Sequence, residues 1–369
     1  MRATGGYWAF QPNPLPPKIH YDDQLIRLLS ESDRLLGELS GTGRLLPNPY
    51  LLINPYIRRE AVSSSKIEGT ESSLRDLFYY EAEAQDRTKS PDAQEVYNYV
   101  LAMEHGLHAL KDLPISIRKV RSIHKVLMQG VRGERLTPGE LRKDQNWIGP
   151  FGCDLDNATY VPPPPRELKQ GLNDWETYLH SDAKEPPLVQ CALIHYQFEA
   201  LHPFLDGNGR IGRLVIIFFL CERDYLTQPL LYLSSFFERN RTEYYEKLLG
   251  VSQQGNWYAW ISFFLRGVVE QCKSATEDAT KILALHKACH DQLKQTKMIP
   301  DTAHRLVDEV FFNPYVSISR LSKKWNVSYN TVKSGVQRLV HLGILEEFGA
   351  RQRNKIFVAP LVLEVLTRG

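Results

Sequence analysis

The chain has 369 residues, 43% of them apolar and 24% charged, with a formal net charge of +2. That length allows two or three domains and a sizeable core, and so balanced a charge decides nothing about a nucleic-acid partner. Five cysteines (Cys153, Cys191, Cys221, Cys272 and Cys289) with no short paired spacing argue against a disulfide framework or a structural zinc site and fit a reducing compartment.

The opening residues Met1 to Trp8 lack the apolar segment of a signal peptide. The longest apolar run, about ten residues around Val215, is too short to span a bilayer. A cytoplasmic protein without membrane contact is expected. Residues 1–20, rich in proline and aromatics, read as an extended surface arm. Leucines 25, 28, 29, 35 and 36 share one face of a helix from Tyr21 to about Leu39, which Gly41 and Gly43 should close. Asn54-Pro55 signals the start of the next helix, and Gly69 is a natural left-handed stop. Thr70 is placed to cap the helix after it. Glu68 then lies at a helix C-terminus, against the negative end of the macrodipole, which is unfavourable by about 0.3–1 kcal/mol. Either water solvates it or a cation from elsewhere pairs with it.

Further helices are expected over Leu74–Ala84, Ala93–Leu110 and Ile115–Met128, with a polar loop at 86–92 and a glycine break at 130–133. Residues 139–166 change character. Trp147-Ile148 and Ala158 to Val161, separated by Gly and Asn-rich turns, suggest two short strands, the second stopped by Pro162 to Pro165. This hairpin (about 144–161) is either a plain surface feature or a flap whose edge takes up an extended peptide. Helices follow at 167–181, 188–201 and 214–221, then one entered through Glu238 to Tyr245, then Trp257–Val269 and Thr276–Lys294.

Residues 300–369 read as a separate domain: helix 302–312, Ser317 to Trp325, a tight turn, helix 329–342, and a hairpin of 343–348 with 355–358. That order is a winged helix-turn-helix. The second helix of the motif carries Tyr329, Asn330, Thr331, Lys333, Ser334 and Arg338, and the wing Arg351, Arg353 and Lys355, all suited to phosphate and base contacts. Ten basic residues against six acidic ones from Asp301 onward favour DNA, although such modules also dock proteins.

The chemistry concentrates in His202-Pro203-Phe204-Leu205-Asp206-Gly207-Asn208-Gly209-Arg210-Ile211-Gly212-Arg213, between two apolar helices. Glycines before a helix let backbone N–H groups approach an anion, and the helix terminus adds partial positive charge. Arg210 and Arg213, three apart, can fork phosphate oxygens. His202 is the natural general base, and Asp206 a carboxylate able to hold Mg²⁺.

This stretch resembles the signature of the Fic family, His-x-Phe-x-Asp/Glu-Gly-Asn-Gly-Arg-x-x-Arg, at every fixed position. The resemblance covers roughly residues 50–270. It implies a mainly helical, all-α core with one β-hairpin flap, here followed by the winged helix-turn-helix domain, and transfer of AMP from ATP to a protein hydroxyl. By the same resemblance His202 deprotonates a Ser, Thr or Tyr of the target, and Asp206 binds the metal. The residues Gly207, Asn208, Gly209, Arg210, Ile211, Gly212 and Arg213 hold the nucleotide, with Arg213 on the γ-phosphate. Gly209 stands where a phosphorylating relative has lysine. Ser64 to Gly69 resembles the family's inhibitory motif, which implies a cation for Glu68 after all: Arg213. The domain boundaries that follow are an arm and helix at 1–50, a core at 51–295 with an inhibitory helix near 54–69, and a C-terminal domain at 300–369.

The expectation is a self-inhibited adenylyltransferase that uses ATP and Mg²⁺ on a hydroxyl-bearing target protein, itself included. The alternatives are a nucleotide-sensing DNA-binding regulator, and a Fic enzyme that uses another nucleotide or removes AMP. A homodimer is compatible with the sequence, but no periodic seam motivates one.

Overall fold

The computed structural model describes all residues except 4–5, 46–47, 84–89, 132–134, 151, 296–300, 350–353 and 368–369. Ala84, the glycine break, most of the 86–92 loop, Phe151 of the expected flap, and Arg351 and Arg353 therefore lie wholly or partly outside the described residues.

Two helices with no polar face form the centre. They are α7 (Pro187–Leu201) and α8 (Asn208–Glu222), nearly all of whose residues are buried. A helix apolar all round needs cover on every side. Here α2 (Tyr50–Ile67), α4 (Pro91–Ala109) and α5 (Ile117–Leu127) pack on α8, while α6 (Pro165–His180), α10 (Arg241–Gln254) and α11 (Trp257–Lys294) pack on α7. The helices α1 (Asp23–Leu45), α3 (Leu74–Ala82) and the short α9 (Ser234–Arg239) fill in around them.

Several expected boundaries move because packing outweighs local signals. α1 runs through Gly41 and Gly43 to Leu45, and Gly43 faces Leu230 so closely that a Cβ there would sit 3.1 Å from it. α2 begins four residues before Asn54 and carries Pro55 inside it, since Leu51, Leu52 and Ile53 are all buried. Gly69 is left-handed (φ +94°), as expected of a stop. The cap of α3, however, is Ser73 in a capping box with Asp76, and Thr70 instead donates to Glu95. The two helices expected near the end of the core are one, α11, because Cys272 and Ala275 keep the buried stripe continuous.

Among the described residues the expected hairpin is reduced to a single antiparallel bridge, Ile148 with Tyr160, flanked by turns. The N-terminal arm lies along it: Phe10 N donates to Val161 O at 2.8 Å, and Tyr7 donates to Gln145.

Residues 301–367 contain α12 (Asp301–Phe312), β1 (Tyr315–Ser317), α13 (Ile318–Trp325), α14 (Tyr329–His341), β2 (Glu346–Phe348), β3 (Ile356–Val358) and α15 (Pro360–Thr367). The strands form an antiparallel sheet in the order β1-β3-β2, with Tyr315 opposite Val358 and Glu347 opposite Phe357. Neither β1 nor α15 is visible as a sequence pattern. This unit shares its core with the rest of the molecule. Asn313 Nδ2 donates to Phe78 O at 2.9 Å, and Arg59 on α2 donates to Leu366 O at 2.7 Å and Val365 O at 3.1 Å. Among the described residues no helix is long and apolar enough to cross a membrane.

Candidate active site

The loop between α7 and α8 is shaped by two left-handed residues. His202 (φ +47°) ends α7 and Gly207 (φ +78°) caps α8. A glycine suits the second position because it has no Cβ to strain there. The loop is then tied from inside. Asn208 Oδ1 accepts from Phe204 N and its Nδ2 donates to Phe204 O, both at 2.8 Å. The side chain of Asn208 is thus engaged in folding the loop, which leaves its backbone N–H for a ligand. Phe204 is fully buried and its ring stacks on His124 at 3.8 Å.

His124 and Arg142 hold the loop from outside its own sequence. His124 Nδ1 accepts from Gly139 N at 2.8 Å, so its Nε2 carries the proton and donates to Asp206 O at 3.0 Å. Burial pushes the His124 pKa down to about 4, which keeps this neutral tautomer across the ordinary pH range. Arg142, itself buried, donates to His202 O at 2.9 Å and to Leu201 O, where the C-terminal carbonyls of α7 need partners, and also to Pro163 O ahead of α6. No local pattern marks either residue, because each acts across some 60 to 80 positions.

His202 is half-buried at the mouth of the loop. Its Nδ1 lies 3.3 Å from Glu199 O, a group that only accepts, so Nδ1 carries the proton and Nε2 has the free lone pair. Burial, helped by Arg142, lowers its pKa to about 4 and keeps it a neutral base. Glu199 is missed by local sequence patterns. Burial pushes its pKa up to about 8, against the pull of Arg213, so it is protonated at neutral pH. Its Oε1 occupies the space beside Gly212, 2.3 Å from where a Cβ would stand.

α8 presents the N–H groups of Asn208, Gly209 and Arg210 at its open end, since Ile211 N already donates to Gly207 O at 3.0 Å. The side chain of Ile211 is buried in the core and its N–H is taken by Gly207 O. Arg210 is also buried, yet its Nε and Nη1 make no hydrogen bond. Its nearest carboxylates are Asp206 at 3.5 Å and Glu95 at 3.7 Å. Buried N–H groups without a hydrogen-bond partner at a helix N-terminus are suited to an anion.

Arg213, one turn further, is fully buried and already held. Nε donates to Ser64 Oγ at 2.8 Å, and Nη2 to Ser64 O at 2.9 Å and Glu68 Oε1 at 2.7 Å. The Glu68 carboxylate lies directly over Gly209, where a Cβ would be 2.3 Å from its Oε1. Its awkward place at the end of α2 is resolved here. The carboxylate lies beside the first turn of α8 instead, and although burial works against its charge, Arg213 holds its pKa below the usual carboxylate range. Asp206 is partly exposed. Its Oδ1 accepts from Gly207 N at 2.6 Å, which fixes the carboxylate at the rim of the anion site.

A helical fold with a glycine-rich helix N-terminus and a neutral imidazole beside it has the parts to hold an anion next to a proton acceptor. Comparison makes the class specific. Residues 26–108 match the Fic/DOC family N-terminal model and residues 114–220 the Fic/DOC family model. The chain belongs to the Fic family. It is similar over 198 residues to proteins named protein adenylyltransferase Fic, at 26% identity in Drosophila willistoni and 25% in Drosophila melanogaster. The match takes in 53% of this chain but only 35% and 36% of those proteins, about a third of their length. In fold it is similar to a Fic family protein from Desulfovibrio desulfuricans, with a TM-score of 0.60, 19% identity, and coverage of 94% of this chain and 98% of that one. It is also similar to Fic-1 from C. elegans, with a TM-score of 0.53, 20% identity, and coverage of 68% and 72%.

Proposed function

We propose that the chain is a self-inhibited protein adenylyltransferase, which moves AMP from ATP to a Ser, Thr or Tyr hydroxyl of a target protein, itself among the candidates, and releases pyrophosphate. One observation carries the reading: Arg213, at the head of an anion cradle, is held by Ser64 and Glu68. The N–H groups of Gly209 and Arg210, with the Nε and Nη1 of Arg210 that make no hydrogen bond, suit the phosphates. Gly207, Asn208 and Gly212 shape the cradle through their backbone, and Arg213 takes the γ-phosphate once Glu68 leaves.

The donor set at Asp206 fits Mg²⁺. It is one partly exposed, fixed carboxylate, and this ion prefers few protein oxygens with phosphate and water completing its shell. When bound, the ion neutralises phosphate charge. His202 Nε2 takes the target proton as the hydroxyl oxygen bonds to the α-phosphorus and the bond to pyrophosphate breaks. A peptide suits the bridge at Ile148. The arm occupies the far side of Val161, while Trp147 and Gly149 on the outer edge have no backbone hydrogen-bond partner among the described residues.

The test is incubation of Glu68→Gly protein with α-labelled ATP and Mg²⁺. Labelling well above wild type, in the protein itself or an added target, is expected, and a folded Glu68→Gly variant that labels nothing overturns the reading. His202→Ala in that background should lower labelling by about 10²–10⁴-fold with ATP binding largely kept.

A second reading has its own support. The unit from α12 to α15 has the helix and strand order of a winged helix. Tyr329, Asn330, Thr331, Lys333 and Ser334 are all exposed on α14, on the face such modules present to DNA. Lys324 and Lys355, in contrast, are paired with Glu309 and Glu347. Selection from random DNA that yields no sequence above salt-sensitive background would leave protein docking as the role of this face.

A further inference from the structure

Away from the cradle, α11 and α12 place imidazoles and a carboxylate in one cluster. His286 and His290 are one turn apart on α11, and His304 and Asp308 one turn apart on α12. His286 Nε2 lies 2.7 Å from Asp308 Oδ1, His290 Nε2 lies 3.2 Å from the same oxygen, and the two Nε2 atoms are 3.2 Å apart. Three donor atoms from two helices thus form a small triangle.

We propose that His286, His290 and Asp308 bind a divalent transition-metal ion of the Zn²⁺ class. Tetrahedral coordination with bonds of about 2.0–2.1 Å places neighbouring ligand atoms about 3.3 Å apart, close to the edges of this triangle. Two imidazole nitrogens gain little by facing each other at 3.2 Å, and a shared cation explains why both lone pairs would turn to one point. The outer contact fits as well. His290 Nδ1 lies 3.2 Å from His304 Nδ1, so a proton on His290 Nδ1 leaves its Nε2 lone pair turned inward. His304 is thus a positioning residue of the kind that orients metal-ligating histidines. Both ligating histidines are about 20% exposed and Asp308 about half exposed, so the ion has an entry path and an open fourth position for water. Two neutral imidazoles and one carboxylate favour Zn²⁺, Co²⁺ or Ni²⁺ over Mg²⁺ or Ca²⁺, which prefer all-oxygen sites.

The ion would clasp the longest helix of the core to the first helix of the C-terminal unit. α12 ends at Phe312, over which the Arg58 guanidinium of α2 stacks at 4.7 Å. The clasp therefore sits on the element that braces α2, far from the cradle in sequence and on other helices.

The experiment uses the full chain, stripped with EDTA, desalted and loaded with ZnCl₂ alone. Metal is counted after gel filtration, and the melting temperature is followed with and without Zn²⁺. One Zn²⁺ per chain and a higher melting temperature are expected. Both should be lost in His286→Gln and in His290→Gln, and both kept in His202→Ala and Asp206→Asn, which separates this site from the cradle. His304→Gln should weaken binding by about 10–100-fold without abolishing it. Substoichiometric Zn²⁺, or stoichiometric Zn²⁺ indifferent to His286 and His290, overturns the proposal. Should a variant fail to fold, the unaltered chain decides with Co²⁺: intense tetrahedral visible bands at one equivalent support the site, and a weak octahedral spectrum contradicts it.

Discussion

Among the arginine–carboxylate pairs that hold α2, the one in its middle and the one at its tip are built differently. In its middle, Arg58 meets Glu81 of α3 in a two-pronged pair, 2.9 Å on each prong, with both side chains almost wholly buried (4% and 2% exposed). Arg59 beside it reaches Asp278 of α11 and the carbonyls of α15. At the tip, Arg213 is as deeply buried, but Glu68 offers one oxygen and is one-third exposed. The first pair has no exit to water, whereas the second has a partner open to solvent on one side. The contrast teaches that α2 is fastened along its length and latched only at its end, so release of Glu68 need not unfold the helix.

The comparison breaks first at Arg58. Arg58→Ala strands a buried carboxylate and should lower stability by about 3–5 kcal/mol in chemical denaturation. A loss near zero would mean that α2 is not fastened there. Next comes the cradle itself. Asn208→Ala leaves Phe204 N and O unpaired and should lower stability by about 1–3 kcal/mol, with a parallel fall in ATP affinity. The smallest effect belongs to the latch. Glu68→Gln should change stability by about 1 kcal/mol or less at neutral pH, as expected of a partly exposed pair. Because Arg213 depresses the Glu68 pKa, that contribution is full above the ordinary carboxylate pKa and disappears as pH falls through the lowered folded value. Wild type and Glu68→Gln should therefore converge in stability in acid, and a gap that widens there would contradict the pairing. A separate acid sensitivity comes from His124, His195 and His202, whose pKa values burial lowers to about 4, 3 and 4. The unfolded chain binds their protons first, so stability should fall as pH drops from about 6.5 toward 4 in both proteins.

What the sequence revealed follows the same division between local and distant. The stretch from His202 to Arg213 was legible because its chemistry is contiguous, and the left-handed Gly69 because a stop is a local signal. The partner of Glu68 was not legible from spacing. It lies 145 residues away, and only the resemblance to the Fic family supplied it. His124 and Arg142 were invisible for the same reason, one looking like an ordinary core histidine and the other like an ordinary loop arginine. The loop-folding bonds of Asn208 and the burial of Ile211 were not legible, because a linear motif does not say which atoms the loop uses to fold itself. Pro55 misled as a helix start and Gly43 as a stop, since buried neighbours carry both helices past them. The clasp candidates His286, His290, His304 and Asp308 carried a signal, i,i+4 pairs on adjacent helices, that becomes visible only when two segments are compared.

The central claim is that Glu68 keeps Arg213 from its nucleotide. Intact-mass analysis of wild type and Glu68→Gly after incubation with ATP and Mg²⁺ tests it most directly. AMP-sized increments on Glu68→Gly, absent or rare on wild type and absent from Glu68→Gly/His202→Ala, are the expected result. A folded Glu68→Gly protein that stays as unmodified as wild type would contradict it.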